Sequence, residues 1–271
     1  MIFGVPFDGT SSFRKGSSLA PDSVRKAYTN LESFDVYHNI DFSKLKICDL
    51  GDLFESEDVK EVTGNVREVV SMIRSDNKIP IMIGGEHSIT SGSISCFKDS
   101  TMIIIDAHSD FRDEYMGNPL NHACVTRRSL EVLGPGKIFS VGTRSVSREE
   151  FESPEFRKVR FFYSDEVREK GIQSVIKEIE QSVGSSVYFS IDMDGIDPAY
   201  APGVGTPEPF GLTDVDVREL VRHFASKIDG FDILEFTPVY DNGNTSMLAA
   251  KLIQEFIGSR ESSRLRHHKK K

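Results

Sequence analysis

Short runs of apolar, β-branched and aromatic residues recur along the chain, separated by stretches of helical period. Strands are predicted at residues 2–7, 45–50, 79–83, 101–105, 137–142, 158–163, 187–191 and 231–236. Thr101-Met102-Ile103-Ile104-Ile105 is apolar without alternation, the pattern of a strand buried on both faces. Between strands, Val62, Val66, Val69, Val70 and Ile73 share one helical face, as do Ile172, Val175, Ile176, Ile179 and Val183. Ala20-Pro21-Asp22 puts proline in the first turn of another helix. A helix is expected after His87, and another from about His122 to Leu133, stopped by Gly134-Pro135-Gly136. Thr213-Asp214-Val215-Asp216 opens a capped helix, and a last helix spans 245–257 with Leu248, Leu252 and Phe256 inward.

Strands that alternate with helices build a parallel sheet covered on both faces. An open sheet and a closed eight-stranded barrel both satisfy that alternation. No linker or repeat divides the 271 residues. A single domain over 1–258 is expected, followed by a disordered basic tail over 259–271.

Composition narrows the class. Hydrophobic residues make up 38% and charged residues 28%, a globular balance. The net charge of −9 argues against non-specific nucleic-acid binding. No apolar run is long enough to span a bilayer and the N-terminus lacks a signal pattern, so a cytoplasmic location without membrane contact is expected. Cys48, Cys96 and Cys124 are too scattered for a disulfide framework or a CxxC zinc site, and Cys48 is expected as a small core residue of a strand.

The candidate chemistry sits just past three of the strands. Gly84-Gly85-Glu86-His87-Ser88 follows one, Asp106-Ala107-His108-Ser109-Asp110 the next, and Asp192-Met193-Asp194 ends a third. Alternate residues of an extended chain point to one side, so Asp106, His108 and Asp110 converge if the chain stays extended. Open parallel sheets bind ligands at that edge. Two histidines and four aspartates exceed the four ligands of one zinc ion and match two divalent cations with shared carboxylates. An oxygen-rich set with imidazole favours manganese over copper or zinc. Paired ions about 3.5–4 Å apart make a nucleophile of water at neutral pH, so the residues indicate a binuclear metallohydrolase. They leave amidine, amide and phosphate substrates open.

The same three motifs, in this order, resemble the signatures of the ureohydrolases, the arginase/agmatinase family. The resemblance extends over nearly the whole chain, from Gly4-Val5-Pro6-Phe7-Asp8 through the proline-rich 201–209 segment to Glu235 near Pro238. It implies an α/β three-layer sandwich with an eight-stranded, mostly parallel sheet and two Mn2+ per subunit. His87, Asp106, Asp110 and Asp192 would hold one ion, and Asp106, His108, Asp192 and Asp194 the other. A hydroxide between the ions would attack a guanidinium carbon, with Asp110 passing its proton to the leaving amine. Glu235 resembles the family's guanidinium-binding acid and His122 its proton shuttle. The family also implies a homo-oligomer, trimer or hexamer, and a small cationic guanidino substrate.

The 111–121 segment lacks the arginase pattern and is closer to the agmatinase form, which implies cleavage of agmatine to putrescine and urea. Asp113 and Glu114 are expected to meet a cationic amine tail, which would suit aminopropyl-agmatine as well as agmatine. Arg112 would instead suit a carboxylate-bearing substrate such as guanidinobutyrate, unless it pairs with an acidic neighbour. The same chemistry on arginine stays open. A single-zinc deacetylase, a phosphatase and a non-catalytic metal-binding homologue are the rivals from different classes.

Overall fold

The computed structural model describes residues 1–268. Its strands are β1 (Ile2–Val5), β2 (Phe34–Asp35), β3 (Ile40–Asp41), β4 (Asp49–Asp52), β5 (Ile81–Gly84), β6 (Thr101–Ile105), β7 (Ile138–Thr143), β8 (Arg160–Tyr163), β9 (Val187–Asp192) and β10 (Ile228–Leu234). Eight of them form one sheet in the order β4-β1-β5-β10-β9-β6-β7-β8, and every pairing in it is parallel. The sheet is open, with β4 and β8 as edges, so it is not a closed barrel. β2 and β3 make a separate antiparallel ribbon.

The central strands carry their side chains into two cores. Ile103 and Ile105 of β6 point to one side with Phe189, Ile191 and Phe231, against helices 20–28, 172–180, 214–224 and 244–268. Met102 and Ile104 point to the other with Phe3, Met82 and Tyr188, against helices 59–75 and 125–133. Two buried faces explain the unbroken apolar runs. They also fix register, because a one-residue slip would exchange the two cores.

Three expectations need correction. The strand predicted at 45–50 forms only at Asp49–Asp52, an edge whose side chains are exposed and partly covered by Arg25 on Asp49 and Asp52. Cys48 just before it is exposed, because it lies at the border of the sheet rather than under a helix layer. The tail expected to be disordered from 259 continues the last helix, Asn244–His268. Its polar residues are held by partners: Ser259 is buried against His38, and Arg260 donates to the carbonyls of Ala225, Ser226 and Ile228. Residues 269–271 of that expected tail lie outside the described residues. Two short helices, Arg148–Glu152 and Ser164–Lys170, fall outside the predicted elements.

The order of strands determines where a ligand can sit. The chain steps from β5 through β6, β7 and β8 in one direction along the sheet, then winds back through β9 and β10 into the gap between β5 and β6. The helices after the neighbours β6 and β9 therefore lie on opposite faces. At such a point the loops after neighbouring strands part and leave a crevice beyond the carboxyl ends. The loops after β5, β6, β9 and β10 carry His87, Asp106, Asp194 and Glu235 to that crevice.

Candidate active site

Glycines let the loops come close enough. A Cβ on Gly85 would lie 1.7 Å from the Phe7 carbonyl oxygen, and one on Gly195 would lie 2.7 Å from the Asp106 nitrogen. Gly85 thereby lets the β5 loop dock on the β1 loop, where Glu86 N–H donates to Phe7 O at 2.8 Å. Gly195 lets the turn after β9 press onto the end of β6.

Each ligand candidate reaches the site by a different local route. His87 opens a short 3-10 turn, and its backbone N–H donates to Glu235 Oε1 at 2.7 Å. Past β6 the chain is extended only briefly, bridging His108 to Ser145, and Asp110 then turns with φ +46°. Alternation alone therefore does not bring Asp110 in. Glu150 holds that turn, accepting from Ser109 Oγ and Phe111 N–H at 2.8 Å each. Asp192 ends β9, and Asp194 sits in a 3-10 turn capped by Asp192, which accepts its N–H at 2.8 Å. The turn, rather than strand alternation, places this pair.

The side chains meet as two linked groups. His87 Nδ1 lies 3.3 Å from Asp106 Oδ2, 3.4 Å from Asp110 Oδ2 and 3.2 Å from Asp192 Oδ2. His108 Nδ1 lies 3.0 Å from Asp194 Oδ2 and 3.7 Å from Asp106 Oδ1. His87, Asp106 and Asp110 offer atoms close enough to share one cation, and Asp106, His108 and Asp194 offer a second set. Asp106 is common to both. Asp192 touches the first group through His87.

Charge in this crevice is unbalanced without cations. Burial, with the charge of Asp110, pushes the Asp106 carboxyl up to about 7. Burial and the charges of Asp194 and Asp106 raise Asp192 as well. Burial opposes a charged His87, yet the surrounding carboxylates outweigh it and hold that imidazole well above its ordinary value. Two buried atoms, His87 Nδ1 and Asp106 Oδ2, have no partner in hydrogen-bond geometry among the described residues. Unpaired nitrogen and oxygen lone pairs facing one point fit a divalent cation, and such groups otherwise cost roughly 1–3 kcal/mol each.

Above the groups lies a cavity of about 170 Å3, lined by His108, Asp110, Arg112, Tyr115, His122 and Glu235 among others. Glu235 follows β10 with φ +59°, and burial followed by the charge of Glu86 raises its carboxyl. His122 opens a 3-10 turn capped by Asn121, and its ring meets Tyr115 edge-on at 6.2 Å. Arg112 holds its guanidinium 4.8 Å over the Tyr115 ring instead of pairing with its acidic neighbours. Asp113 pairs with Arg128, and neither Asp113 nor Glu114 lines the cavity, against the expectation that they meet a substrate amine.

Sequence reasoning missed several contributors. Ser147-Arg148-Glu149-Glu150 has the spacing of a capping box, which would have flagged Glu150. Thr206 donates to Asp194 Oδ2 at 2.7 Å from the proline-rich loop. Arg144 donates from its guanidinium to the carbonyls of Asp194, Gly195 and Glu208 and ties that loop to the site. No local signal marks either.

An open parallel sheet with a two-group carboxylate–imidazole site at its winding reversal defines a binuclear-type hydrolase scaffold. A model of the arginase family matches residues 1–258. The N(1)-aminopropylagmatine ureohydrolase of Thermococcus kodakarensis is 36% identical over 264 residues, 96% of this chain and 90% of that protein. The agmatinase of Pyrococcus horikoshii is 36% identical over 262 residues, 95% of this chain and 90% of that protein. The crystal structure of the agmatine ureohydrolase of Thermoplasma volcanium superposes with a TM-score of 0.96 at 60% identity, covering 98% of this chain and 91% of that one. The chain belongs to the arginase family, as a ureohydrolase. No helix among the described residues is long and apolar enough to cross a membrane.

Proposed function

We propose that this ureohydrolase cleaves agmatine to putrescine and urea with two manganese ions bound by His87, Asp106, His108, Asp110, Asp192 and Asp194. The observation that carries this reading is the pair of ligand groups joined through Asp106 beneath the cavity. The named activities of the Pyrococcus and Thermoplasma relatives support agmatine as the substrate. Bound there, paired divalent cations would supply an activated water and neutralise the crowded carboxylates.

The chain's own residues do the rest. Glu235 fixes one oxygen on the His87 amide, and its other oxygen takes a guanidinium N–H in a charge-assisted bond. That contact sets the guanidinium carbon over the ligand groups. Asp110 receives the proton of the attacking water and passes it to the leaving amine. His122, at the cavity wall, carries protons between that site and solvent.

A second reading, an N-aminopropyl form of agmatine as substrate, is favoured by the Thermococcus relative. Arg112 alone would favour a carboxylate-ended substrate, but its stacking on Tyr115 already places the cation. The test is urea release from manganese-loaded protein with agmatine, aminopropyl-agmatine, guanidinobutyrate and arginine side by side, before and after chelation. Metal-dependent urea from agmatine is expected. Urea only from guanidinobutyrate would move the assignment to Arg112, and no urea from any of the four would end it.

A further inference from the structure

Glu86 is fully buried and no step above uses it. Its Oε2 accepts from Thr10 N–H at 2.7 Å and Ser11 Oγ at 3.2 Å. Its Oε1 accepts from Ser88 Oγ at 2.6 Å and from the Thr10 hydroxyl. Four donors surround two oxygens, the arrangement of an acceptor-only carboxylate. The Thr10 hydroxyl has one proton, and it is spent on Glu86. Its lone pairs face His122, whose backbone N–H donates at 3.0 Å and whose Nδ1 lies at 3.2 Å. Two acceptors cannot face each other there, so Nδ1 must carry a proton.

We propose that Thr10, backed by Glu86, is a positioning residue that fixes neutral His122 as the Nδ1–H tautomer and leaves Nε2 as its basic nitrogen. Nε2 faces outward, with Ser12 Oγ at 3.4 Å. A hydroxyl can both donate and accept, so Ser12 can follow the ring through a protonation cycle without moving. From its other sides His122 meets the Tyr115 ring and shares the cavity with Asp110, Arg112 and Glu235.

Glu86→Gln sharpens the test. The Thr10 backbone N–H can only donate, so the amide oxygen must take the place of Oε2 and the NH2 the place of Oε1. The NH2 then donates to the Thr10 hydroxyl, which turns its own proton onto His122 Nδ1. The same hydrogen-bond chain runs backwards and the tautomer inverts to Nε2–H.

The proposal rests on His122 as the proton carrier only for its kinetic consequence, so the two are read separately. Nitrogen NMR of the 15N-histidine-labelled full chain, with His122→Asn assigning the signal, reports the tautomer without turnover. The parent chain and Thr10→Ser are expected as Nδ1–H, Glu86→Gln as Nε2–H, and Thr10→Val without a fixed preference. An Nε2–H signal in the parent, or one unchanged tautomer across Glu86→Gln and Thr10→Val, overturns the proposal. In the manganese-loaded chain, kcat for urea release from agmatine should fall about 10²-fold in Glu86→Gln while KM moves less than about twofold. Inversion of the tautomer with kcat intact upholds the positioning assignment and removes His122 from the proton path.

Discussion

The floor and the rim of the cavity are built on opposite plans. The floor, His87, Asp106, Asp192 and Asp194, hangs from the ends of buried parallel strands and is itself buried. The rim, from Arg112 to Asn118, is a surface loop whose Tyr115 and Asn118 exchange hydrogen bonds across Met116 and Gly117, both at positive φ. The floor is held by two cores, so its atoms have little freedom. The rim is held by its own turn, the stacked Arg112–Tyr115 pair, and two ties to the following helix: Arg112 N–H on Ala123 O and the Asp113–Arg128 pair. Chemistry is thereby separated from selectivity: changes at the floor should abolish turnover, and changes at the rim should only redistribute it.

The largest effect tests the floor. Asp192→Asn should lower kcat/KM for agmatine by on the order of 10³-fold or more, since it removes a proposed ligand and a charge together. Metal analysis should show fewer than two ions per chain. Full activity with two ions would mean the floor does not act as a unit. Glu235→Gln should be next, with about 10²-fold lost from kcat/KM as an ion-paired contact to the guanidinium becomes one between the cation and an uncharged amide. Failure to weaken agmatine at all would place the guanidinium elsewhere.

A third effect concerns the floor before it binds metal. Burial and the Asp110 charge hold Asp106 up to about 7, and His87 lies well above its ordinary value against the opposition of burial. The folded chain therefore binds more protons at these groups than the unfolded chain does. Stability from them is present at low pH and is lost as pH rises through the folded-state values. The melting temperature of chelated protein should fall between about pH 6 and 8, and manganese should raise it more at the upper end. A metal-free chain that gains stability over that window would contradict the crowding described for the floor.

The smallest effect tests the rim. Arg112→Ala should change kcat for agmatine by less than about tenfold and alter mainly the ratio of agmatine to guanidinobutyrate. A loss as large as that of Asp192→Asn would erase the distinction between floor and rim.

The same contrast explains what the sequence reveals. Doubly buried strands such as Thr101–Ile105 have to be apolar at every position, and the ligand candidates after them stand out against that background. His87, Asp106, His108, Asp110, Asp192 and Asp194 are legible for that reason. The routes that bring them together are not, because the φ of Asp110 and the turn at Asp194 leave no periodic trace. Helices of five and seven residues at Arg148–Glu152 and Ser164–Lys170 are too short to show a face. The basic tail misleads for the opposite reason: its composition is that of a solvated segment, yet Ser259 and Arg260 find partners only the folded neighbours supply. Thr10 and Glu86 lie 76 positions apart, and nothing local links them.

Asp110 occupies a left-handed backbone conformation with its carboxylate 3.4 Å from His87 and close to Asp106. Glycine would take that φ at lower cost, by about 1 kcal/mol, and would remove one of the crowded charges as well. A population of variants chosen only for heat tolerance, in a medium poor in metal, should therefore drift toward glycine at 110. Such a lineage would become sturdier while losing its chemistry, so retention of an aspartate at 110 over generations would be a record of selection on turnover rather than on the fold.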